Sequence, residues 1–482
     1  MNKKVLTILC LVVFLIGAVA MPAFALPDQA LPSFDRKVVE RIDVENIWEH
    51  LEVLADEIGP RVTGTSEERA SAEYIAEVLE SYGYSVRLDE FALPSRVIVP
   101  EVKIVAPFDV KLHPAPLSNT ALAPDDGVTA VVMDWGDSMT PPADWEPGMI
   151  AFMDAPEGED RFYYFDDEVD AAIDAGASAV IFKMYDFGEE AFFSNILGGR
   201  LSDPVDIPAI ILSPMQGEDL RYVLETDEVM INIQLETDKY SQNVVATRTP
   251  SNKTRDSGKV LIIGAHYDSV YGSPGANDNA SSVVTFMEFA RVVANYPIDM
   301  ELKFIAFGGE EFGFLGAHHY VDSLSEEEKA RIAGMINMEM LGSNYAPQEY
   351  VFTATVDGSV NFINESMLAA GARLAEFLPP TEPVGFTDHV PFHQAGITAA
   401  LLARAYPGPI PWDPEGRFGL EPQYHSTYDT LDHMCKERLE QAARILAAAA
   451  YDIFRPDTPN LEQSKIRNPE KVPGPPVVVP SR

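Results

Sequence analysis

The chain has 482 residues, of which 46% are hydrophobic and 10% aromatic, enough to bury more than one core. Its formal net charge of −40 at pH 7 excludes nucleic acid and anionic membranes as partners, because such a surface repels both. The two cysteines are Cys10 and Cys435, and the first lies in an N-terminal segment that we expect to be removed. The mature chain then has neither an intramolecular disulfide nor a cysteine-type zinc site.

That N-terminal segment has the composition of a secretory signal peptide. Lys3 and Lys4 precede an apolar run from Val5 to Ala20, and Ala23-Phe24-Ala25 offers small residues for cleavage. The run is short for a membrane span, and no later stretch approaches the roughly 20 apolar residues that a span requires. We therefore expect residues 1–25 to be a signal peptide, the mature protein to be secreted or extracytoplasmic, and no stable insertion into a membrane.

The segment that follows predicts two helices and an edge strand. Apolar residues recur at helical spacing from Ile47 to Leu54 and again from Ala70 to Tyr82. Ser85 to Asp89 alternates polar and apolar residues, as an edge strand does.

Between residues 98 and 236 the chain changes to short apolar runs separated by prolines and acidic turns. The predicted strands are Val128–Asp134, Met149–Met153, Ala179–Lys183 and Ile207–Leu212, and the predicted helices are Glu168–Ala175 and Gly217–Leu224. The phrases GMIAFMDAPEG, AAIDAGASAVIF and DIPAIILSP resemble a protease-associated domain. The resemblance implies a β-rich insert that acts as a lid or a substrate-binding wall, and a passive stability module is the alternative.

A short, wholly apolar run, Val260 to Ile263, predicts a central strand that is buried on both faces. His266 and Asp268 follow the end of this strand, where ligands gather in open α/β sheets. The turn Gly275–Asn279 then presents Asp278 just before a predicted helix. A neutral imidazole and a carboxylate are ligands that suit zinc.

Three further segments place acidic or imidazole side chains after predicted strands or in turns. One strand is followed by Glu310 and Glu311, whose repulsion a cation or a shared proton relieves; a solvated acidic loop is the alternative. The next strand delivers Glu339 to the same edge, and His425 follows Tyr424 in a later turn. The predicted strands of this half of the chain are Val260–Ile263, Leu302–Phe307, Ile332–Met338, Tyr350–Val356 and Ile397–Leu402, and the helices are Ala280–Ala294, Val360–Phe377 and Lys436–Phe454.

These residues lie in motifs that resemble the secreted di-zinc aminopeptidases, a family that also contains plasma glutamate carboxypeptidase, glutamate carboxypeptidase II and the glutaminyl cyclases. The matching motifs are, in chain order, GAHYDSV, GANDNAS, GGEEFGFLGA, INMEM, TDHVPF and YHSTYDT. The resemblance covers most of the chain from Ile47 to Phe454. It implies an α/β fold in which a three-layer αβα catalytic domain has a mixed, mostly parallel sheet and is interrupted by the β-rich insert.

The resemblance also implies a role for each metal ligand. It makes Asp278 a carboxylate that bridges two zinc ions. The other ligands are implied in pairs, with His266 and Glu339 on one ion and Glu311 and His425 on the other. Many members of the family have Asp where this chain has Glu339, and the extra methylene can change how that carboxylate binds.

Four further residues are expected around these ligands. Glu310 is expected to act as general base, because a carboxylate next in sequence to a ligand can pass a proton from water to the leaving amine. Asp268 is expected to orient His266 from behind, and Asp388, in TDHVPF, to line the site. Tyr424 is either a hydroxyl donor to the oxyanion or a packed aromatic residue.

The predicted domains are a signal peptide at 1–25, a catalytic domain formed by 40–97 and 237–455, a protease-associated insert at 98–236, and a proline-rich flexible tail at 456–482. The predicted activity is that of a zinc exopeptidase, an aminopeptidase that acts on peptides. The alternatives are a carboxypeptidase, a glutaminyl-cyclase-like acyltransferase with a single zinc, and a receptor-like protein that binds without catalysis. A carboxypeptidase needs a cation for the substrate carboxylate, and the best placed is Arg404, for which an ordinary ion pair within the fold is the other role. The sequence predicts no oligomeric state.

Overall fold

The structure is a computed structural model that describes residues 35–156, 164–189, 196–251, 253, 256–378, 383–407 and 418–454. The predicted signal peptide and the predicted tail lie outside these ranges, and both stay predictions. Among the helices within these ranges, none combines the length and the apolar composition that crossing a membrane requires.

The described residues form two β-sheets with helices packed against them. The strands are β1 (Ser85–Ala92), β2 (Val99–Ala106), β3 (Val110–Leu112), β4 (Ala115–Pro116), β5 (Val128–Gly136), β6 (Ile150–Asp154), β7 (Ala179–Lys183), β8 (Ala209–Leu212), β9 (Met230–Glu236), β10 (Tyr240–Arg248), β11 (Val260–His266), β12 (Glu301–Phe307), β13 (Ile332–Glu339), β14 (Tyr350–Ala354), β15 (Ala399–Pro407) and β16 (Phe418–Gly419). The helices are α1 (Arg36–Val39), α2 (Val44–Glu52), α3 (Ser66–Ser81), α4 (Asp166–Asp174), α5 (Pro214–Leu224), α6 (Ser281–Val293), α7 (Leu315–Ser323), α8 (Glu326–Arg331), α9 (Phe362–Leu374), α10 (His389–Gln394) and α11 (Lys436–Phe454). Shorter helical turns lie at Val53–Ile58, Ala276–Ala280, Glu310–Phe312 and Leu431–His433.

The first sheet has the strand order β1-β10-β12-β11-β13-β15-β14, and β16 pairs with β15. Its central strands β12, β11, β13 and β15 are parallel to one another. The outer strands β10, β1, β14 and β16 are each antiparallel to the neighbour on which they are added. The sheet is therefore mixed, with a parallel centre, which agrees with the predicted α/β fold.

Strand β11 shows why helices cover both faces of this sheet. All of its residues are buried. Leu261 and Ile263 pack with α6 and α11 on one face, whereas Val260 and Ile262 pack with α7 and α10 on the other. Because side chains alternate between the two faces of a strand, an unbroken apolar run is required where both faces are buried. The result is a three-layer αβα arrangement.

The second sheet has the strand order β3-β2-β9-β5-β6-β7-β8-β4, in which β5 to β8 are parallel. Val180 lies in an apolar cluster with α4 on one face, and Ile181 lies in a cluster with α5 on the other. All strands of this sheet fall between residues 99 and 236. They therefore lie inside the segment predicted as an insert, whose assignment as a protease-associated domain stays a prediction.

Loops of the second sheet contact the chain segment that carries His425, which belongs to the part of the molecule built on the first sheet. Ile196 forms an antiparallel bridge with Ser426, the residue after His425. The hydroxyl of Tyr428 donates a hydrogen bond of 2.9 Å to Asp186, at the end of β7. These contacts place residues of the insert segment beside the predicted metal ligands.

The first testable prediction concerns Gly264, in the middle of β11. A Cβ atom at this position would lie 2.5 Å from Cε2 of Phe307 and 3.1 Å from the carbonyl oxygen of Ile305. Neither atom can move freely inside a packed sheet, so Gly264→Ala is expected to lower the free energy of unfolding by about 1 to 3 kcal/mol. Scanning calorimetry measures this as a lower Tm. Gly385→Ala is the matched control, because its Cβ meets nothing within 4 Å; an equal Tm for the two variants would contradict the prediction.

Candidate metal centre

The predicted ligands meet because neighbouring parallel strands end at one edge of the first sheet. β11 lies between β12 and β13. His266 is the last residue of β11, and Glu339 is the last residue of β13. Glu310 and Glu311 form a short helical turn three residues after β12 ends. The strand register therefore brings imidazole and carboxylate groups from distant parts of the chain to one place.

One group of donors surrounds the imidazole of His266. Its Nε2 atom lies 3.2 Å from Oδ1 of Asp278 and 3.0 Å from Oε1 of Glu339. Its Nδ1 atom lies 3.0 Å from the backbone carbonyl oxygen of Asp268. That contact fixes the ring so that Nε2 faces the two carboxylates. Histidines that bind a metal through one ring nitrogen commonly have the other nitrogen held by a carbonyl or carboxylate in this way.

A second group of donors surrounds His425. Its Nε2 atom lies 3.1 Å from Oδ2 of Asp278 and 3.1 Å from Oε2 of Glu311. Asp278 thus presents one oxygen to each imidazole. Donor atoms of His266, Asp278 and Glu311 also lie within 4.8 Å of one another, so the two groups form one cluster.

Asp268 supports the cluster from behind, although it donates no atom to it. Its Oδ2 atom accepts hydrogen bonds from the hydroxyl of Thr63, at 2.7 Å, and from the backbone N–H of Glu311, at 3.3 Å. Its Oδ1 atom accepts from the backbone N–H of Glu310, at 3.1 Å. The carboxylate of Asp268 therefore anchors the turn with the two glutamates, while the backbone carbonyl of the same residue is the group that contacts the ring of His266.

Asp278 is held by a different carboxylate. Asp429 accepts hydrogen bonds from the backbone N–H groups of Asn277, at 2.7 Å, and Asp278, at 2.9 Å. The side chain of Asn277 donates to Glu421 at 2.6 Å and accepts from the backbone N–H of Gly342. The turn that presents Asp278 is therefore fixed by contacts on both sides.

The segment around Asp388 reaches the cluster through its neighbour. Thr387 donates a hydrogen bond of 2.6 Å to Oε2 of Glu339, which leaves Oε1 of that carboxylate facing His266. Asp388 is buried, and within the described residues neither of its carboxylate oxygens has a hydrogen-bond partner. Burial raises its pKa well above the usual value, and the charge of Glu339 adds to this increase.

The electrostatics of the cluster favour a bound cation. Burial lowers the pKa of His266, but the charges of Glu339 and Glu310 outweigh it and hold the pKa well above its usual value. Burial also lowers the pKa of His425, but the negative charges of Glu311 and Asp278 outweigh this effect and hold the pKa well above its usual value. Each imidazole thus lies where a positive charge is stabilised, and a metal cation supplies that charge without a proton.

The donor set fits zinc in composition and in its unused bonding capacity. It consists of imidazole nitrogens and carboxylate oxygens, which are zinc ligands. The Oε1 atom of Glu311 is buried, and among the described residues it has no hydrogen-bond partner. A buried carboxylate oxygen without a partner is costly, and ligation to a metal removes that cost.

Burial raises the pKa of Glu310 well above its usual value, with His266 opposing and the neighbouring carboxylates reinforcing the shift. Its Oε2 atom lies 3.9 Å from Nε2 of His266, farther than the oxygens of Asp278 and Glu339. Glu310 is thus beside the donors and is not one of the closest contacts. A carboxylate that lies beside the donors in this way is positioned to exchange a proton with a water molecule held among them.

Tyr424 packs against a predicted ligand. Its ring stacks on His425 with a centroid distance of 3.7 Å and an interplanar angle of 19°. Burial raises the pKa of Tyr424 well above its usual value, and the charges of Asp278 and Glu311 add to it, so the hydroxyl stays protonated. His425 itself has a φ of +57°, a conformation that a non-glycine residue adopts only where surrounding contacts impose it.

Arg404 corrects one expectation. It is buried, and its guanidinium donates to the backbone carbonyls of Leu341, Gln348, Glu349 and Arg438 and to the side-chain oxygen of Gln441. In the described part of the chain no carboxylate forms an ion pair with it, so the predicted ion pair is wrong. Burial lowers its pKa to about 9. Its hydrogen bonds hold it within the fold, and a substrate carboxylate could reach it only by displacing them.

Comparison with known proteins decides the family. Residues 243–450 match the model of Peptidase family M28. Aminopeptidase YwaD of Bacillus subtilis is 32% identical over 461 residues, which cover 94% of each chain. The chain belongs to peptidase family M28. The probable lipoprotein aminopeptidase LpqL of Mycobacterium tuberculosis is 28% identical to this M28 chain, and the match covers 83% of this chain and 82% of LpqL.

Solved structures extend the comparison. The zinc aminopeptidase BSAP from Bacillus subtilis is 30% identical to this M28 chain with a TM-score of 0.58, and the match covers 88% of this chain and 96% of BSAP. The aminopeptidase from Aneurinibacillus sp. strain AM-1 is 31% identical with a TM-score of 0.54, over 88% of this chain and 96% of its own. The predicted metallo-aminopeptidase with an α/β fold is confirmed by these matches.

Sequence reasoning did not identify Thr63, Thr387 and Asp429, which hold the M28 ligands in place. Thr387 and Asp429 lie inside the motifs TDHVPF and YHSTYDT, whereas Thr63 lies outside every quoted motif, and nothing in the residue types separates the three from neighbouring polar residues. Their role depends on which backbone and side-chain groups the fold brings within 3 Å.

The second testable prediction follows from the position of Asp268. In Asp268→Asn one oxygen becomes an amide nitrogen, which cannot accept a hydrogen bond from the N–H of Glu310 or Glu311. Zinc affinity is expected to fall by about 10- to 100-fold, as for other residues that support metal ligands. Competition with a chromophoric chelator measures it. Asp322→Asn, at an exposed position of α7, is the control; an unchanged affinity in Asp268→Asn would contradict the supporting role.

Proposed function

We propose that this aminopeptidase removes N-terminal residues from peptides with a water molecule activated between two zinc ions. His266 and Glu339 would hold one ion, Glu311 and His425 the other, and Asp278 would bridge them. The observation that supports this best is the geometry of Asp278, whose two oxygens lie 3.2 and 3.1 Å from the Nε2 atoms of two different histidines. A bridging carboxylate is positioned in this way.

Bound zinc supplies a water of lowered pKa and polarises the carbonyl that is to be cleaved. The chain itself must then move a proton. We assign this role to Glu310, whose carboxyl lies beside the donors without being one of their closest contacts. The hydrogen bond from its backbone N–H to Asp268 holds the residue while its side chain accepts a proton from water and passes it to the leaving amine.

Two further groups complete the proposed reaction. The hydroxyl of Tyr424 stays protonated and can donate to the oxygen on which negative charge develops. The concentration of carboxylates favours a positively charged amino terminus over a carboxylate terminus.

The alternatives differ in what they require of the site. A glutaminyl-cyclase-like enzyme needs one zinc, whereas this cluster contains two imidazole-carboxylate groups. The cation that the sequence analysis considered for a carboxypeptidase, Arg404, makes its hydrogen bonds to carbonyls inside the fold. A receptor-like protein has no need of the complete donor set. The aminopeptidase therefore remains the function that the geometry supports best.

We also propose that the mature enzyme is secreted after removal of residues 1–25, and that residues 98–236 form a protease-associated insert. The first proposal is supported by the basic, apolar and small-residue order of the N-terminal sequence. The second is supported by the separate sheet that these residues form and by its contacts with the segment around His425.

The third testable prediction separates the base from the ligands. Glu310→Gln keeps the shape of the side chain and removes its ability to take a proton. It is expected to retain both zinc ions and to lose about 10²-fold or more in kcat on a leucyl peptide. Metal content by mass spectrometry and steady-state kinetics on the same preparation measure the two effects.

The matched control is Glu326→Gln, which changes an exposed glutamate on α8. If Glu310→Gln instead loses zinc, the roles of Glu310 and Glu311 are wrongly divided. If it keeps full activity, Glu310 is not the base.

A further inference from the structure

A groove of about 470 Å³ lies where the insert segment meets the catalytic sheet. Two of its lining residues belong to loops of the metal centre. Tyr271 comes three residues after Asp268, and Phe312 directly follows Glu311. Leu197, from the insert segment, lines the groove as well.

A third connection joins the groove to the metal centre. Ile196 lines the groove and forms the backbone bridge with Ser426, next to the ligand His425. Loops that carry ligands from β11, from β12 and from the 423–430 segment thus all contribute to the groove or to its border. The groove is therefore lined by residues that neighbour the predicted ligands in sequence, although it contains none of the ligands themselves.

The walls of the groove are apolar and closely packed. The rings of Tyr271 and Phe312 meet edge to face, with centroids 5.7 Å apart and an interplanar angle of 81°. The hydroxyl of Tyr271 is bound to the carbonyl oxygen of Ile98 at 2.6 Å, so its ring presents carbon to the groove. A Cβ atom at Gly272 would lie 2.6 Å from Leu197, which shows how tightly this loop packs on the insert segment. Such walls suit an apolar side chain.

The rim of the groove carries positive charge in a protein of net charge −40. Arg96 is exposed and donates a hydrogen bond of 2.8 Å to the carbonyl oxygen of Phe312. Throughout the described ranges, no carboxylate lies within ion-pair distance of Arg96, even though acidic residues outnumber basic ones 75 to 35. Arg200 is a second arginine of the lining. The guanidinium of Arg96, with no carboxylate of the described residues within ion-pair distance, has hydrogen-bonding capacity for an anionic group.

We propose that this groove binds the part of the peptide that follows the scissile bond, with an apolar side chain against the rings of Tyr271 and Phe312 and the C-terminal carboxylate at Arg96. The inference rests on the proposed aminopeptidase function and names its substrate class as short peptides with an apolar second residue and a free carboxylate. The direction in which the peptide lies in the site follows from the charges at its two ends. The carboxylates of the metal centre take the amine, and the only anionic main-chain group of a peptide lies at its other end.

The test compares kcat/KM for leucyl-phenylalanine and for leucyl-phenylalanine amide, which differ only in the terminal carboxylate. The wild type is expected to prefer the free acid by about tenfold or more, the effect of one charge-assisted hydrogen bond. Arg96→Gln is expected to lower this preference to near one through KM, and Arg96→Lys to restore part of it.

A second variant avoids the contact between Arg96 and Phe312. Ser118→Asp places a negative charge on the groove lining, at an exposed position, and is expected to reduce the preference for the free acid. Ser251→Asp adds the same charge at an exposed position outside the groove lining and should leave the preference unchanged. If the wild type, Arg96→Gln and Ser118→Asp all show the same preference for the free acid, the proposal is overturned.

Two further substrate comparisons show whether a negative result contradicts the groove proposal or the aminopeptidase proposal. If leucyl-glutamate amide is preferred over leucyl-glutamine amide while free and amidated leucyl-phenylalanine are cleaved equally, the groove reads an acidic side chain and the C-terminal assignment is wrong. If N-acetylated leucyl-phenylalanine is cleaved as well as the free peptide, or no peptide is cleaved with zinc present, the aminopeptidase proposal itself fails. Cleavage of free-amine peptides without any dependence on Arg96 overturns the groove alone.

Discussion

The carboxylate of Asp268 is the constraint on which the metal centre depends. It accepts hydrogen bonds from three donors in two segments that are remote in sequence from β11, namely Thr63 and the backbone of Glu310 and Glu311. Its own backbone carbonyl fixes the ring of His266. One buried residue therefore sets, through its backbone carbonyl and its carboxylate, the relative positions of a predicted histidine ligand, a predicted carboxylate ligand and the proposed base. Without it, the short turn after β12 would have no partner for its backbone N–H groups at this edge of the sheet.

The remaining supports follow the same principle, in which each ligand is fixed by a group that does not itself bind metal. Asp429 holds the turn of Asp278, and Thr387 holds Glu339. This arrangement is required because several carboxylates are buried together, and each buried charge costs several kcal/mol unless an opposite charge compensates it. The two divalent cations of the proposed centre would provide that compensation. The hydrogen bonds keep the oxygens in place so that the repulsion between them is relieved by the metal and not by movement of the loops.

The sequence predicts much of this centre because its signals are local. An unbroken apolar run such as Val260–Ile263 identifies a strand buried on both faces, and the polar residues that follow it identify the functional edge of the sheet. The donor types His, Asp and Glu at successive strand ends then suffice to predict a zinc site. The resemblance to a family adds the pairing of the ligands, which no spacing in a single sequence determines.

Other features depend on contacts between distant segments and have no local signal. Strand β10 is not predicted because its polar residues Ser241 and Asn243 interrupt the apolar pattern; both are buried and bonded, to Glu68 and to the carbonyl of Gly316. The sequence suggests that Arg404 is a cation near the site, but the fold surrounds its guanidinium with carbonyl oxygens. The groove at Arg96 likewise exists only because the insert segment packs against loops of the catalytic sheet.

The central claim is that two zinc ions lie on either side of Asp278. X-ray diffraction from crystals of the zinc-loaded protein, recorded on both sides of the zinc absorption edge, tests it most directly. The account predicts two anomalous peaks about 3.5 to 4 Å apart, one next to Nε2 of His266 and the other next to Nε2 of His425, with Asp278 between them. A single peak, or peaks that lie away from Asp278, would contradict it.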